Sequence, residues 1–352
     1  MYVDDVIIGG GNEQQRLSEV DLIFERFEGK LIHPEIKNNI KCYDINGIEL
    51  EVDEKNRSFV MHMEKYINKT LDKFNMSNAT TTIHPKVNPD LILRDQIDCD
   101  FPVQECLGCL IWLSTTCRPD ITYDVSVLAR FVGIYKNSRG CANACKKILK
   151  YLKGSKRKGI NYSPRREKEF QMRYDELIKN QCKSAEFGTV SREAEQFSKN
   201  IFIFSDASFA SCPLTLKSQT GSCIYFRGVL IAYKTSRQTV ISHSTCASEF
   251  IACSDTLTFC EKLEDQLNLF ENCKPSVFQS KRKLLPVFVD NQSAIRISRA
   301  DVLNNSSKHL KLRYLKVTEQ QKRLFFVPTK AQEADAFTKS LGEAIFAMFA
   351  VE

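Results

Sequence analysis

The amino-acid sequence predicts an α/β fold in which a mixed sheet occupies the second half of the chain. Three observations carry this. Two short apolar runs, IFIFSD at 201–206 and LPVFVD at 285–290, each end on an aspartate, as buried strands do where they leave a sheet. A long helical stretch, 244–270, lies between them. From 201 onward the order is strands first, then helices alternating with strands, and such helical crossovers make a sheet partly parallel.

Each element follows from its local pattern. Residues 1–11 set apolar side chains around Asp4 and Asp5 with glycines after them, which fits a β-hairpin bearing both acids on its turn. Residues 13–28 show helical periodicity through Leu17, Val20, Leu22, Ile23 and Phe27. Residues 40–62 alternate like strands around two turn signals, Asn46–Gly47 and 54–56. An amphipathic helix at 63–76 places Tyr66, Ile67, Leu71 and Phe74 on one face. Residues 77–100 read as a polar loop with two prolines, and 102–153 as two or three helices broken at Arg118, Pro119 and Asp120. The segment 163–200 carries charges of both signs and no long apolar run, so it reads as a solvated helix and linker at a domain boundary. After the strand at 201–206, GSCIYFRG, VLIAYK and QTVISH are three further strand-like runs. The helix at 244–270 opens on Ser and Thr caps and carries Glu249 near its start. A short helix (291–299), a basic amphipathic helix (308–322), a strand (323–328) and a final helix (332–341), which carries Asp335 near its start, complete the plan.

Composition sets bounds. The 352 residues suffice for two or three domains at roughly 100–200 residues each. A 43% hydrophobic fraction supports a core, and the net charge of +7 permits a polyanionic partner without requiring one. Most of the 14 cysteines, Cys223 and Cys253 among them, sit in apolar or helical patterns. Together with the lack of a signal peptide after Met1, this predicts reduced, buried thiols in an intracellular protein. Cys106 and Cys109 with Cys141 and Cys145 could form a four-thiolate zinc site. Spacings of three and four also place thiols on one helix face, and packing is the expected reading. No apolar stretch approaches the ~18–20 residues of a membrane span, so no membrane partner is expected.

Two-metal nucleases need several carboxylates converging on one point, so that two divalent ions ~3.5–4 Å apart clamp the attacking water and the leaving oxygen. Strand ends and first helical turns are the places that fix such acids. Asp206 and Asp290 end apolar strands, and Glu249 and Asp335 lie near helix starts. Any one of them alone reads as a cap or turn residue. The set, in this order, points to a metal centre, provided the two strands are neighbours.

The strings FSDASFA, KSQTGSCIYFRG, VDNQSAI, SKHLKLRYLKV and VPTKAQEADAFTKSL resemble, segment for segment, the ribonuclease H domain of copia-type (Pseudoviridae) LTR-retrotransposon Pol polyproteins. MYVDD resembles the reverse-transcriptase hairpin with two metal-binding aspartates, here Asp4 and Asp5. MEKYINKTLDKFNM, LGCLIWLSTTCRPDITYDVSVLARF and KKILKYLKG resemble the segments that follow it. The resemblance implies a ribonuclease H-like mixed five-stranded sheet with helices, preceded by a partial reverse-transcriptase palm and a helical thumb or connection. The implied domains are 1–80 (palm), 81–162 (thumb or connection), 163–200 (charged linker or insertion), 201–342 (ribonuclease H) and 343–352 (tail).

The implied activity is metal-dependent hydrolysis of RNA in RNA–DNA hybrids. By resemblance Asp206, Glu249 and Asp290 hold one Mg2+ or Mn2+ and Asp206 with Asp335 the second, while His309 is an auxiliary candidate. Nucleic-acid contacts are expected from Lys308, Lys311, Arg313 and Lys316, and more weakly from Lys217, Lys234 and Arg237. Implied partners are the hybrid and the remaining Pol segments, with no small-molecule cofactor. The expected locations are the cytoplasm, in a virus-like particle, and the nucleus. The family's polymerase has a third metal-binding aspartate before YVDD, so this chain is not expected to polymerise alone. The alternative is an inactive transposon remnant that at most binds nucleic acid. Ser208, Ala247 and Lys311 stand where the family carries further acids, while all four implied ligands are kept.

Overall fold

The computed structural model describes residues 8, 12–183, 193–271, 283–299 and 308–340. The hairpin of Asp4 and Asp5 and the 343–352 tail lie outside these residues.

Helix α1 (Glu13–Phe24) starts in a reciprocal capping box between Asn12 and Gln15. Strands β1 (Glu35–Lys37), β2 (Ile40–Ile45), β3 (Ile48–Asp53) and β4 (Ser58–His62) form an antiparallel meander. Asn46 and Gly47 both have positive φ (54° and 81°), the two-residue hairpin geometry this dipeptide favours. Helix α2 (Glu64–Lys73) buries Ile67 and Leu71, with Phe74 just beyond its end.

The stretch read as a polar loop holds a short helix, α3 (Pro89–Arg94). Its signal was in the sequence: Asn88 caps the Asp90 N–H at 3.0 Å and Pro89 takes the first helical position. Helices α4 (Val103–Thr116), α5 (Thr122–Val132) and α6 (Arg139–Gly154) pack around Leu110, Leu113, Leu128, Ile148 and Leu149. Cys106, Cys141 and Cys145 are fully buried in that core, as the packing reading expects. Strand β5 (Ile160–Tyr162) returns to pair antiparallel with β4.

The next helix corrects the sequence reading. Within the presumed linker, α7 (Pro164–Lys183) is not a solvated helix: Phe170, Tyr174 and Ile178 are buried, spaced four apart on one face. They pack against Phe202, Phe204 and Tyr225 of the second sheet. Three large apolar side chains on one stripe are enough to dock a helix that is otherwise charged.

That sheet has the order β10-β9-β6-β7-β8. Strands β6 (Ile201–Ser208), β7 (Gln219–Phe226) and β8 (Val229–Arg237) are an antiparallel meander. Helix α8 (Thr245–Glu271) follows, then β9 (Val287–Val289), which pairs parallel to β6. After α9 (Gln292–Arg299) and α10 (Lys308–Glu319), β10 (Leu324–Phe326) joins parallel to β9. This is a mixed five-stranded sheet, as the sequence predicts. Phe202 and Phe204 face α7, whereas Ile201 and Ile203 join Cys253, Leu257, Ile295 and Val317 on the side of α8, α9 and α10. Both faces are covered, which is why β6 reads as a continuous apolar run.

Two further expectations are overturned. QTVISH is a loop, because Gln238 turns inward to bond the Ser248 carbonyl (2.8 Å) and accepts the Ser242 hydroxyl (2.9 Å). Within the stretch expected to be the final helix (332–341), the described residues form one short 3₁₀ turn, Glu333–Phe337, with another, Thr329–Ala331, just before it. No described helix is long and apolar enough to cross a membrane.

One buried acid joins the two halves. Asp124 on α5 accepts the Val87 N–H (2.7 Å) through Oδ1 and the Ser340 hydroxyl (3.1 Å) through Oδ2. Burial pushes its carboxyl up to about 6, so the folded chain holds this proton more tightly than the unfolded chain does. The associated stability is present at pH 4 and declines as pH climbs through 6. Asp124→Asn removes the charge while Oδ1 still accepts the Val87 N–H and Nδ2 donates to the Ser340 oxygen in place of accepting from it. It should stabilise the chain by ~1–3 kcal/mol at pH 7.5 and match the wild type near pH 4, as read from thermal melts at both values.

Candidate metal centre

The register of the second sheet builds the site. Ser205 lies opposite Val289 in the parallel β6–β9 pair, so the next residues, Asp206 and Asp290, leave at the same end of neighbouring strands. Helix α8 packs across β6 and β7, capped by the Ser244 hydroxyl on the Ala247 N–H (3.1 Å). This puts Glu249 over the same end. One carboxylate oxygen each from Asp206, Glu249 and Asp290 lie within 4.8 Å of one another, the arrangement expected of a metal-binding trio.

Such a cluster is electrostatically costly as it stands. Burial, reinforced by the charges of Asp335 and Asp290, pushes Asp206 up to about 7 against the opposing hydrogen bond from Thr338. Burial and then the charges of Asp206 and Asp290 push Glu249 up to about 10, opposed by the Ala207 N–H. Burial also raises Asp290, although its Oδ2 accepts the Thr329 hydroxyl at 3.0 Å. Glu249 Oε2 is buried without a hydrogen-bond partner. In its ionised form that oxygen is an acceptor with no donor, and a hard divalent cation, which takes carboxylate oxygens, supplies the complement. The residues present therefore fit such an ion.

Asp335 stands beside the trio and is not one of its members. It sits on the 3₁₀ turn Glu333–Phe337, with Oδ2 2.7 Å from Lys339 Nζ. The turn is fastened to the sheet from two directions. Gln332 Nε2 donates to the Ser205 carbonyl at 2.9 Å, and the Thr338 hydroxyl donates to Asp206 Oδ2. Gly221, opposite Asp206 on β7, allows the approach, since a Cβ there would lie 2.6 Å from Thr338 Cγ2 and 2.7 Å from the Ala334 carbonyl. Gln332, Thr338, Lys339 and Gly221 were not anticipated as site residues. The one available signal was a glycine inside a strand pattern, which marks close approach of another backbone.

The basic candidates are scattered in role. Lys311 is exposed. Arg313 is ion-paired with Asp255, and Lys316 Nζ lies 2.8 Å from Glu261, so α10 spends two of its charges on α8. Lys217 donates to the Thr239 carbonyl (2.6 Å). Lys234 sits over the Phe259 ring, and Arg237 reaches to 3.9 Å from the Cys212 thiol. Asp4 and Asp5, and the side chains of Lys308 and His309, lie outside what is described.

No family model matches the chain. Over 355 residues it is 23% identical to the retrovirus-related Pol polyprotein from transposon TNT 1-94 of Nicotiana tabacum, an alignment covering 96% of this chain and 23% of that protein. It is 21% identical to the truncated transposon Ty1-A Gag-Pol polyprotein of Saccharomyces cerevisiae, covering 97% of this chain and 27% of that one. The chain thus spans about a quarter of the length of these curated relatives. A structural likeness is found to the N-terminal RNase H domain of a Mycobacterium tuberculosis protein solved as a maltose-binding-protein fusion. It has 14% identity and a TM-score of 0.28, and covers 42% of this chain and 94% of that one. Over almost its whole length, then, the chain is similar to a stretch of retrotransposon Pol polyproteins, as its motif series implied.

Proposed function

We propose that the chain is a divalent-metal-dependent ribonuclease H that hydrolyses the RNA strand of RNA–DNA hybrids. The observation that carries this reading is the convergence of Asp206, Glu249 and Asp290 around an unpartnered Glu249 oxygen. Similarity to Pol polyproteins supports it. In this reading Asp206, Glu249 and Asp290 hold one Mg2+ or Mn2+, and Asp206 with Asp335 holds a second. Bound ions of this kind supply an activated water and charge stabilisation for the leaving oxygen.

The chain's own groups set the stage for that chemistry. Thr338 and Thr329 orient the carboxylates of Asp206 and Asp290. Lys339 holds Asp335 aside until its charge is wanted. Exposed Lys311 contacts backbone phosphate, and Arg313 and Lys316 do so by exchanging their α8 partners for it. Preference for RNA comes from 2′-hydroxyl contacts and groove shape. By its resemblance, the N-terminal half bears polymerase metal ligands at Asp4 and Asp5.

The test is cleavage of a labelled hybrid with Mg2+, for the wild type and for Asp290→Asn. Magnesium-dependent RNA cleavage that Asp290→Asn abolishes is the expected result. Absence of cleavage would leave a remnant that at most binds nucleic acid, and cleavage unaffected by the substitution would place the activity outside the trio.

A further inference from the structure

Two separate hydrogen-bond chains run from one helix of the first half to the turn that carries Asp335. The first begins at Asp124 on α5. Its Oδ1 is fixed by the Val87 N–H and its Oδ2 accepts the Ser340 hydroxyl. Ser340 adjoins Lys339, whose ammonium grips Asp335 at 2.7 Å. The second begins two turns further along α5, at Arg130. Its guanidinium donates to Gln219 Oε1 on β7. Gln219 Nε2 then donates to the Thr235 hydroxyl on β8 (2.6 Å), and that hydroxyl donates to the Phe337 carbonyl (2.5 Å). Gln219 is fully buried, so none of its bonds is a solvent-side accident. The Phe337 ring stacks on Tyr233, whose hydroxyl reaches back to the Ser114 carbonyl of α4 at 2.8 Å.

The trio of Asp206, Glu249 and Asp290 owes its geometry to β6, β9 and α8, all within the second sheet unit. Asp335 differs. A five-residue 3₁₀ turn is poorly self-supporting. Its two fasteners to β6, Gln332 and Thr338, leave the Phe337 carbonyl to Thr235 of β8, which α5 reaches through Gln219, and leave Ser340 to Asp124 of α5.

We propose that α5 is a positioning element for Asp335, with Asp124 and Arg130 as its positioning residues. The helical half thereby acts on an Asp335-dependent metal site more than on the trio, whose backbone is set within the second sheet unit and whose link to this segment is the Thr338 hydroxyl on Asp206. This inference rests on the proposed function for its catalytic meaning, but its structural content does not depend on activity.

The experiment uses the full chain and the variants Asp124→Ala, Arg130→Ala, Asp124→Asn and Asp335→Asn. Hydrogen exchange resolved by peptide mass spectrometry reads the order of 333–340, with β6 peptides as the internal reference. Asp124→Ala and Arg130→Ala should each speed exchange in 333–340 by about tenfold or more, leave β6 unchanged and keep a cooperative melt. Asp124→Asn, whose amide still accepts the Val87 N–H and donates to Ser340 Oγ, should restore the wild-type rate. Mn2+ titration should show the weaker of two binding events weakened about tenfold in the two alanine variants. That event should be lost in Asp335→Asn, with no further change in the Asp124→Ala/Asp335→Asn double variant. Exchange in 333–340 that stays at the wild-type rate, or that rises in step with β6, would overturn the proposal. So would a loss of the remaining binding event when Asp124→Ala is added to Asp335→Asn. A wild type that orders this turn as described but cleaves no hybrid would refute the ribonuclease reading while leaving the positioning role standing.

Discussion

Asp206→Asn should abolish hybrid cleavage and, without divalent cation, yield a chain more stable than the wild type. Both effects come from the same geometry. Asp206 is almost completely buried among Glu249, Asp290 and Asp335, and Lys339, paired with Asp335, offsets only part of their repulsion. Asparagine keeps an oxygen for the Thr338 hydroxyl and removes the charge. The loss of activity should be on the order of a thousandfold, equivalent to ~4 kcal/mol of transition-state stabilisation, because a shared metal ligand is gone. The gain in metal-free stability should be ~1–2 kcal/mol, as is common when a strained functional group is neutralised.

The pH dependence has a definite sign. Asp206 and Glu249 titrate at about 7 and about 10 in the folded chain, both above their ordinary carboxylate values. The folded state therefore binds more protons than the unfolded state, and metal-free stability falls as pH rises from about 4 towards these values. Melts in EDTA should separate variant from wild type at pH 8 and bring them together near pH 4. Added Mg2+ should raise the wild-type Tm and leave that of the variant nearly unmoved, since only a ligand bound to the folded state stabilises it. If Asp206→Asn melts lower than the wild type in EDTA at pH 8, the charge-cluster account is wrong. If Mg2+ shifts both proteins equally, the ion binds somewhere else.

Those four acids show what a sequence can and cannot disclose. Strand-end aspartates at 206 and 290 are legible because an apolar run that stops on an acid is a local pattern. Their convergence is not local. It needs β6 and β9 to be parallel neighbours in a register set by the crossover through α8. The sequence predicts a helix start near Asp335, yet the residue sits on a 3₁₀ turn whose approach to β7 the missing Cβ of Gly221 allows. Helix α7 was misjudged because its many charges mask three apolar residues whose spacing of four is still readable. QTVISH alternates like a strand, but the inward hydrogen bonds of Gln238 hold it as a loop. The basic stripe of α10 was visible, whereas its pairing with Asp255 and Glu261 required the tertiary fold. Arg118 and Asp120 were legible only as a helix break, although they form the most deeply buried ion pair described.

That pair carries the largest expected effect on stability. Arg118 is fully buried and donates through Nε and Nη2 to the two oxygens of Asp120 at 2.9 and 2.7 Å. Its remaining donors reach the Ser155 carbonyl (2.9 Å) and hydroxyl (2.8 Å) at the end of α6, and Tyr151 donates to Asp120 Oδ2 at 2.6 Å. The knot ties the α4–α5 break to α6. Asp120→Ala strands a guanidinium in the core with half its partners, so a loss of ~3–5 kcal/mol is expected, seen as a lower urea midpoint at unchanged slope. Burial opposes ionisation of Asp120, but Arg118 and Tyr151 outweigh it and hold the carboxyl below its ordinary value. Its contribution is therefore complete above pH 4 and lost as pH falls further, the opposite sign to Asp206 and Asp124. Replacing both partners, as Arg118→Met with Asp120→Val, should recover most of the loss, because the cost lies in the unpaired charge more than in the missing attraction. A single-variant loss under ~1 kcal/mol would mean that water reaches the guanidinium. A double variant as unstable as Asp120→Ala would mean that shape at the α4–α5 break matters more than charge.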